Sequence, residues 1–323
     1  ETIFPAQLAN RSCSAGECYK IMTGAQVPAE TDIVIRVEDA VIDNGFVSFN
    51  LDQPKQWQNI SRRAEDVAAG KIVLAAPVRI TAPVVALLSV LGKQNISVRR
   101  RPSVSIITTG NEVIDPFEPV NPVQIRNSNQ AQLLALLHAM HITEITVSHA
   151  LDDIEELTQR FSNALGADII ISSGAVSAGD ADHIPMVLEQ LRVKKLLHKV
   201  AIKPGKPIWI GTRENGKIVF CLPGNPLSCL AGFILFIRPF IEACYGINQT
   251  VVSSFAIAHS INKSSSLDEF FPARRIHGTN QMERLQFNGS GDIRAAVLAE
   301  GLARHAASVQ HFAAGSFLEF YPL

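Results

Sequence analysis

Asp168-Ile169-Ile170-Ile171-Ser172-Ser173-Gly174-Ala175-Val176-Ser177-Ala178-Gly179-Asp180-Ala181-Asp182 is the stretch from which the fold can be read. Three isoleucines stand between polar ends, as in a strand buried on both faces of a sheet. A loop of small residues follows, then a helical pattern over 183–191. The same alternation repeats outward in both directions. Residues 104–108, 142–148 and 218–222 read as strands, and 129–139, 153–165 and 226–243 as helices. Strands alternating with helices predict an α/β fold, a doubly wound and mainly parallel sheet, over 102–248.

The flanks read differently. Residues 1–60 predict a β domain, with strands at 33–35 and 46–49 and a turn at Asp43-Asn44-Gly45. Residues 61–101 predict a linker and helical segment. A charged loop (Arg62, Arg63, Glu65, Asp66) leads to an apolar helix over 83–91, and Gly92 stops it. Arg99-Arg100-Arg101-Pro102 reads as a solvated connection. Residues 249–323 predict a second small β domain, with strands at 251–258 and 316–321. The chain opens on Glu1 rather than Met, which predicts a β domain cut from something longer.

With 29 Lys+Arg against 30 Asp+Glu in 323 residues, the chain has no net field for nucleic acid or an anionic membrane. The five cysteines form no Cys-x-x-Cys pair, so reduced thiols in the cytoplasm are expected rather than a zinc or disulfide framework. The most apolar run, 227–237, holds eleven residues, too short to span a bilayer.

Ligands of an open parallel sheet bind beyond the carboxyl ends of its strands, and four loops fall there. Thr108-Thr109-Gly110-Asn111-Glu112 offers an acid. In the small-residue loop after the central strand, Gly174, Ser177 and Gly179 open the backbone to an anion, and Asp180 and Asp182 suit a divalent cation bridging to phosphate. Lys199-Val-Ala-Ile-Lys203-Pro204-Gly205-Lys206-Pro207 sets ammonium groups on a restricted backbone. Leu222-Pro223-Gly224-Asn225-Pro226 gives a helix start with Asn225 as cap. Together they point to a phosphorylated or nucleotide-like anion handled with a divalent metal.

At these loops the sequence resembles the molybdopterin molybdenumtransferase family, to which the C-terminal domain of gephyrin also belongs. The resemblance is carried by Lys20-Ile-Met-Thr23-Gly24-Ala25, Asn59-Ile60-Ser-Arg62-Arg63-Ala-Glu65-Asp66, Thr109-Gly-Asn-Glu112, Ser172 to Asp182, Ala201-Ile-Lys203-Pro-Gly-Lys206-Pro207 and Leu222-Pro-Gly-Asn-Pro-Leu-Ser228. It implies insertion of molybdate into adenylylated molybdopterin with Mg²⁺ and release of AMP. Asp66, Glu112, Asp152, Asp182, Lys199 and Lys203 fall at the positions implied to be catalytic. Thr23, Gly174, Ser177, Gly179, Lys206, Pro223, Pro226 and, in a looser match, Ser290 fall at positions implied to bind substrate, and Asp180 and Asp182 at the metal. N-capping competes for Asp152, which precedes Asp153 at a helix start. The resemblance also implies a homodimer whose cleft uses both subunits, with the upstream adenylyltransferase as a further partner.

The sequence departs from the family pattern at several positions. Ala64 stands where the family has Gly, Asn111 where it has Asp, Ala175 where it has a second Gly, and Pro185 where a Lys is common. A position 175 at positive φ would strain Ala175. The family's Ser-Ala-Met-Asp-Gly-Tyr segment is absent. Two other readings fit the same loops: an adenylyl-transferring relative, and a non-catalytic gephyrin-like binding module.

Overall fold

The computed structural model describes residues 1–176, 183–247 and 252–323. They form two compact units, Glu1–Val78 and Arg79–Leu323.

The first unit holds a parallel pair, Thr2–Ile3 with Lys20–Ile21, and a hairpin, Ala40–Asp43 with Phe46–Phe49. Asn44 (φ 49°) and Gly45 (φ 85°) make the hairpin's two-residue turn, as their residue types predict. The strand expected at 33–35 does not form. Val34 donates its N–H to the Gln58 carbonyl at 3.0 Å, and its own carbonyl accepts from Asn59 Nδ2 at 2.8 Å. A loop, not a strand ladder, therefore satisfies this backbone.

The second unit opens on the apolar helix Ala82–Val90, none of whose residues is buried. Next come β1 (Val104–Thr109), α1 (Ser128–Ala139), β2 (Ile145–Ala150), α2 (Ile154–Ala164) and β3 (Ile169–Ser173). Then follow α3 (Ile184–Gln190), β4 (Lys194–His198), β5 (Trp209–Thr212), β6 (Ile218–Leu222) and the helical stretch α4 (Pro226–Cys244). The sheet order is β4-β5-β6-β3-β1-β2. Neighbours from β6 to β2 run parallel, and β4 and β5 complete one edge antiparallel. Lys194 and Lys195 open that edge strand. Each face of the sheet carries its own core. Ile106, Ile171 and Phe220 pack against Leu133 and Phe233 on one side; Ile107, Ile170 and Val219 pack against Phe161 and Val187 on the other.

α4 forms where the sequence predicts a helix over 226–243, one residue longer. It is long and apolar enough to cross a membrane by length and composition alone, but 56% of it is buried here, as in a core helix. Its middle, Phe233–Ile237, winds as a π-helix just ahead of Pro239. A proline inside a helix removes one backbone donor, and a wider turn accommodates that loss.

Strands β7 (Ser253–Ile257), β8 (Asp268–Ile276), β9 (Gln281–Arg284), β10 (Gly301–His305) and β11 (Phe317–Pro322) close on themselves in the order β8-β9-β7-β11-β10. β10 pairs back with β8, so the small β domain is a barrel. Phe271, Met282, Leu318 and Phe320 fill it. Strand pairing and apolar packing both tie it to the sheet domain. Ile202–Lys203 pairs in parallel with Asp268–Glu269, and Leu227, Leu230 and Ile234 of α4 pack on Phe270 and Leu302.

Candidate active site

β1, β3 and β6 end level with one another, since Thr108 and Leu222 both stand opposite Ser173. Beyond these ends lies a cavity of about 360 Å³. Glu112, Asp152, Gly174, Pro223 and Pro226 of the sequence candidates line it together.

Gly174 is required where it stands. Its φ is +114°, and a Cβ there would run into the Thr109 hydroxyl and lie 2.7 Å from the Thr109 carbonyl oxygen. Ala175 follows at φ +39°, so the chain holds a Cβ in the left-handed region at one of the positions where it departs from the family's glycine. Ala64, the other such alanine, stands at φ +70° in the first unit.

The acids are fixed from both sides. Asp153 caps α2, its side chain accepting from the N–H groups of Glu155 and Glu156 at 3.0 Å. Asp152 is thereby released from capping. Its own N–H donates to Asn111 Oδ1 at 3.0 Å, which ties the two loops through an amide instead of a third carboxylate. Burial and, next, the charge of Glu112 hold the Asp152 carboxyl above its ordinary range. Asp152 Oδ1 is buried with no hydrogen-bond partner among the described residues. Two hard carboxylates, one with an unsatisfied oxygen, fit a magnesium-like cation by their chemistry.

The floor contains groups that the motif reading missed. Asn129 is 9% exposed; its Nδ2 donates to Ser173 Oγ at 2.8 Å and to the Gly224 carbonyl at 2.7 Å, joining two of the loops. Behind Gly110, Asn127 Nδ2 donates to Thr108 Oγ1 at 2.8 Å, and His149 bridges Thr108 Oγ1 and the Gly110 carbonyl, each at 3.1 Å. The carbonyl can only accept, so His149 carries its proton on Nε2.

The remaining candidates lie elsewhere. Lys199, Lys203 and Lys206 are not among the cavity's lining residues, although Pro207 at the end of their loop is. Lys203 Nζ pairs with Glu269 Oε1 of the barrel at 3.2 Å. Ser290 sits one residue outside the lining, where its Oγ accepts from Asn225 Nδ2 at 2.8 Å and its carbonyl from Leu227 N–H at 3.0 Å. Asn225 occupies the cap position of α4 but spends its side chain on Ser290. In the first unit, Thr23 is exposed in a turn, and Asp66 is exposed in a loop that Glu65, not Asp66, ties to the Arg62 N–H at 2.7 Å. Ser177, Gly179, Asp180 and Asp182 lie outside the described residues. Burial pushes the Cys229 thiol up to about 12, so it offers no thiolate near the strand ends.

The family described as the probable molybdopterin binding domain matches residues 105–243, and the MoeA N-terminal region (domain I and II) matches residues 3–92. The molybdopterin molybdenumtransferase of Bacillus subtilis is 34% identical over 79% of this chain, and the match spans 58% of that relative's length. The Synechocystis enzyme of the same name is 30% identical over 94% of this chain and 77% of its own. The molybdopterin biosynthesis MoeA protein of Pyrococcus horikoshii superposes with a TM-score of 0.81 at 27% identity, covering 99% of this chain and 79% of that one. The chain belongs to the molybdopterin molybdenumtransferase family.

Proposed function

We propose that this chain is a molybdopterin molybdenumtransferase, inserting molybdate into adenylylated molybdopterin and releasing AMP. The observation that carries the reading is one cavity at the strand ends of a sheet of this family, where Glu112 and Asp152 face each other above a floor of Asn129, Ser173 and Gly224. Asn129 ties the strand end at Ser173 to the Pro223–Pro226 turn, which lines the same cavity. Glu112 and Asp152 would hold Mg²⁺, joined by Asp180 and Asp182 as sequence candidates. When bound, Mg²⁺ supplies a Lewis acid for phosphoryl oxygens. Lys199, Lys203 and Lys206 are assigned to molybdate, an oxyanion that fixed ammonium groups suit.

A homodimer is part of the proposal. No residue of helix Ala82–Val90 is fully buried within this chain, and its Val85 and Val90 and the following Leu91 are exposed, an apolar surface that a second copy would cover. Thr23 and Asp66 are assigned to the partner's cleft. The upstream adenylyltransferase remains the proposed donor of substrate, and the cytoplasm, where cysteines stay reduced, the proposed setting.

The test is AMP release from adenylylated molybdopterin with Mg²⁺, with and without molybdate. Molybdate-dependent release, lost in Asp152→Asn, is the expected result. Tight nucleotide binding with no release in any form, including one extended at the N-terminus, would favour the binding-module reading.

A further inference from the structure

We propose that Arg126 is the phosphate anchor of this cavity, a specificity-determining residue for the nucleotide half of the substrate. The proposal rests on the transferase reading and deepens it. Among the described lining residues the charges are Glu112, Asp152 and Arg126. An anionic nucleotide entering beside two carboxylates needs a cation, and Arg126 is the one that the described lining offers. Lys203 is committed to Glu269, and Lys199 and Lys206 are not in the lining.

The backbone explains why Arg126 stands there. Ile125–Arg126 pairs in parallel with Val113–Ile114, with Ile125 N–H donating to the Glu112 carbonyl at 2.8 Å and Asn127 N–H to the Ile114 carbonyl at 2.9 Å. The segment that carries the acid therefore also carries the cation. Arg126 Nε donates to the Pro116 carbonyl at 2.9 Å, which orients the guanidinium and leaves its two terminal nitrogens as a fork. Such a fork matches two phosphate oxygens. Two residues on, the twelve-residue α1 begins at Ser128, which also lines the cavity, so the positive end of a helix adds to the same site. The cavity thus combines carboxylates for a metal ion with a guanidinium and a helix start for phosphate, the latter on the segment paired with that of Glu112.

The experiment is calorimetric titration of AMP and of adenosine into the full chain, its Arg126→Ala, Arg126→Gln, Arg126→Lys and Lys203→Ala forms, with melting curves as a folding control. Wild type should prefer AMP to adenosine. Arg126→Ala and Arg126→Gln should lose about 10- to 100-fold in AMP affinity, the range for a charge-assisted hydrogen bond, with adenosine unaffected. Gln keeps a donor for the Pro116 carbonyl, so its loss reports the charge and not the loop. Lys should recover part of the affinity. AMP binding unchanged in both Arg126→Ala and Arg126→Gln, a loss only in Lys203→Ala, or a wild type that binds AMP no better than adenosine would overturn the proposal. An AMP preference lost with Arg126 in a protein that releases no AMP from adenylylated molybdopterin would leave the anchor standing and sink the transferase reading instead.

Discussion

Asp152 shares its cavity with Glu112, and that neighbour's charge adds to burial in holding Asp152 above the usual carboxylate range. The consequence for stability has a definite sign. An unfolded Asp loses its proton near pH 3.9, before the native one does. The native state therefore loses stability as pH climbs from there through the raised native value. At neutral pH, Asp152→Asn should melt a few degrees higher than wild type while losing turnover. Mg²⁺ should raise the melting temperature of wild type and not of the variant. A variant that melts lower, or gains equally from Mg²⁺, would contradict this account.

Ala175 stores strain that a glycine would release. The left-handed region costs a Cβ-bearing residue about 1–2 kcal/mol, and part of the gain is lost to the freer unfolded chain. Ala175→Gly should therefore stabilise by about 0.5–1 kcal/mol in urea unfolding. The opposite change next door, Gly174→Ala, should destabilise by more than 2 kcal/mol on the order of a backbone clash, because its Cβ meets the Thr109 backbone. A neutral Gly174→Ala would mean the loop moves more freely than its contacts imply.

Asn225 and Ser290 should behave as a pair. If Asn225 acted as a helix cap, Ser290→Ala would be harmless. The 2.8 Å bond between their side chains predicts instead that each single variant costs up to about 1 kcal/mol and that the double variant costs little more. Full additivity in a double-mutant cycle would refute the pairing.

His305 sets the acid limit of the barrel. It is fully buried, faces the ring of Phe312 at 4.8 Å, and has Lys263, Glu269 and Arg284 around it. Burial and then the Lys263 charge push its pKa below the ordinary value. An unfolded histidine takes up a proton near pH 6.5, so stability is complete above that pH and drains away as pH falls towards the lower native value. Melting temperature should drop as pH falls below about 6.5, and the drop should shrink in His305→Gln. Equal slopes in the two proteins would exclude His305 as the cause.

The sheet was legible because its strands are apolar between polar ends: Ile169 to Ile171 could not lie on a surface, and Asp153 with Glu155 and Glu156 announces a helix start. The antiparallel edge was hidden because Lys194 and Lys195 look like a charged loop, and an exposed edge strand tolerates that composition. The strand expected at 33–35 failed because three β-branched residues favour extended backbone without supplying a pairing partner. In the site, motif spacing found Glu112 and the Pro223–Pro226 turn. It had no access to Asn129, His149 or Arg126, whose roles depend on which carbonyls and side chains the fold brings within 3.1 Å of them. Asn225 shows the converse: the residue type announced a cap, and a serine 65 positions away claimed the side chain.

The pairing of Ile202–Lys203 with Asp268–Glu269 means that the barrel is not a cassette. Part of its border is woven by a neighbour, and Phe270 and Leu302 are roofed by α4. Severed at the boundary, the barrel would carry away a raw hem of unmet amides and a bare greasy patch, while the sheet domain would keep a lysine loop with nothing to lie against. Inheritance should have passed the two on together, and a hybrid that swaps one without the other should aggregate where its parents stay in solution.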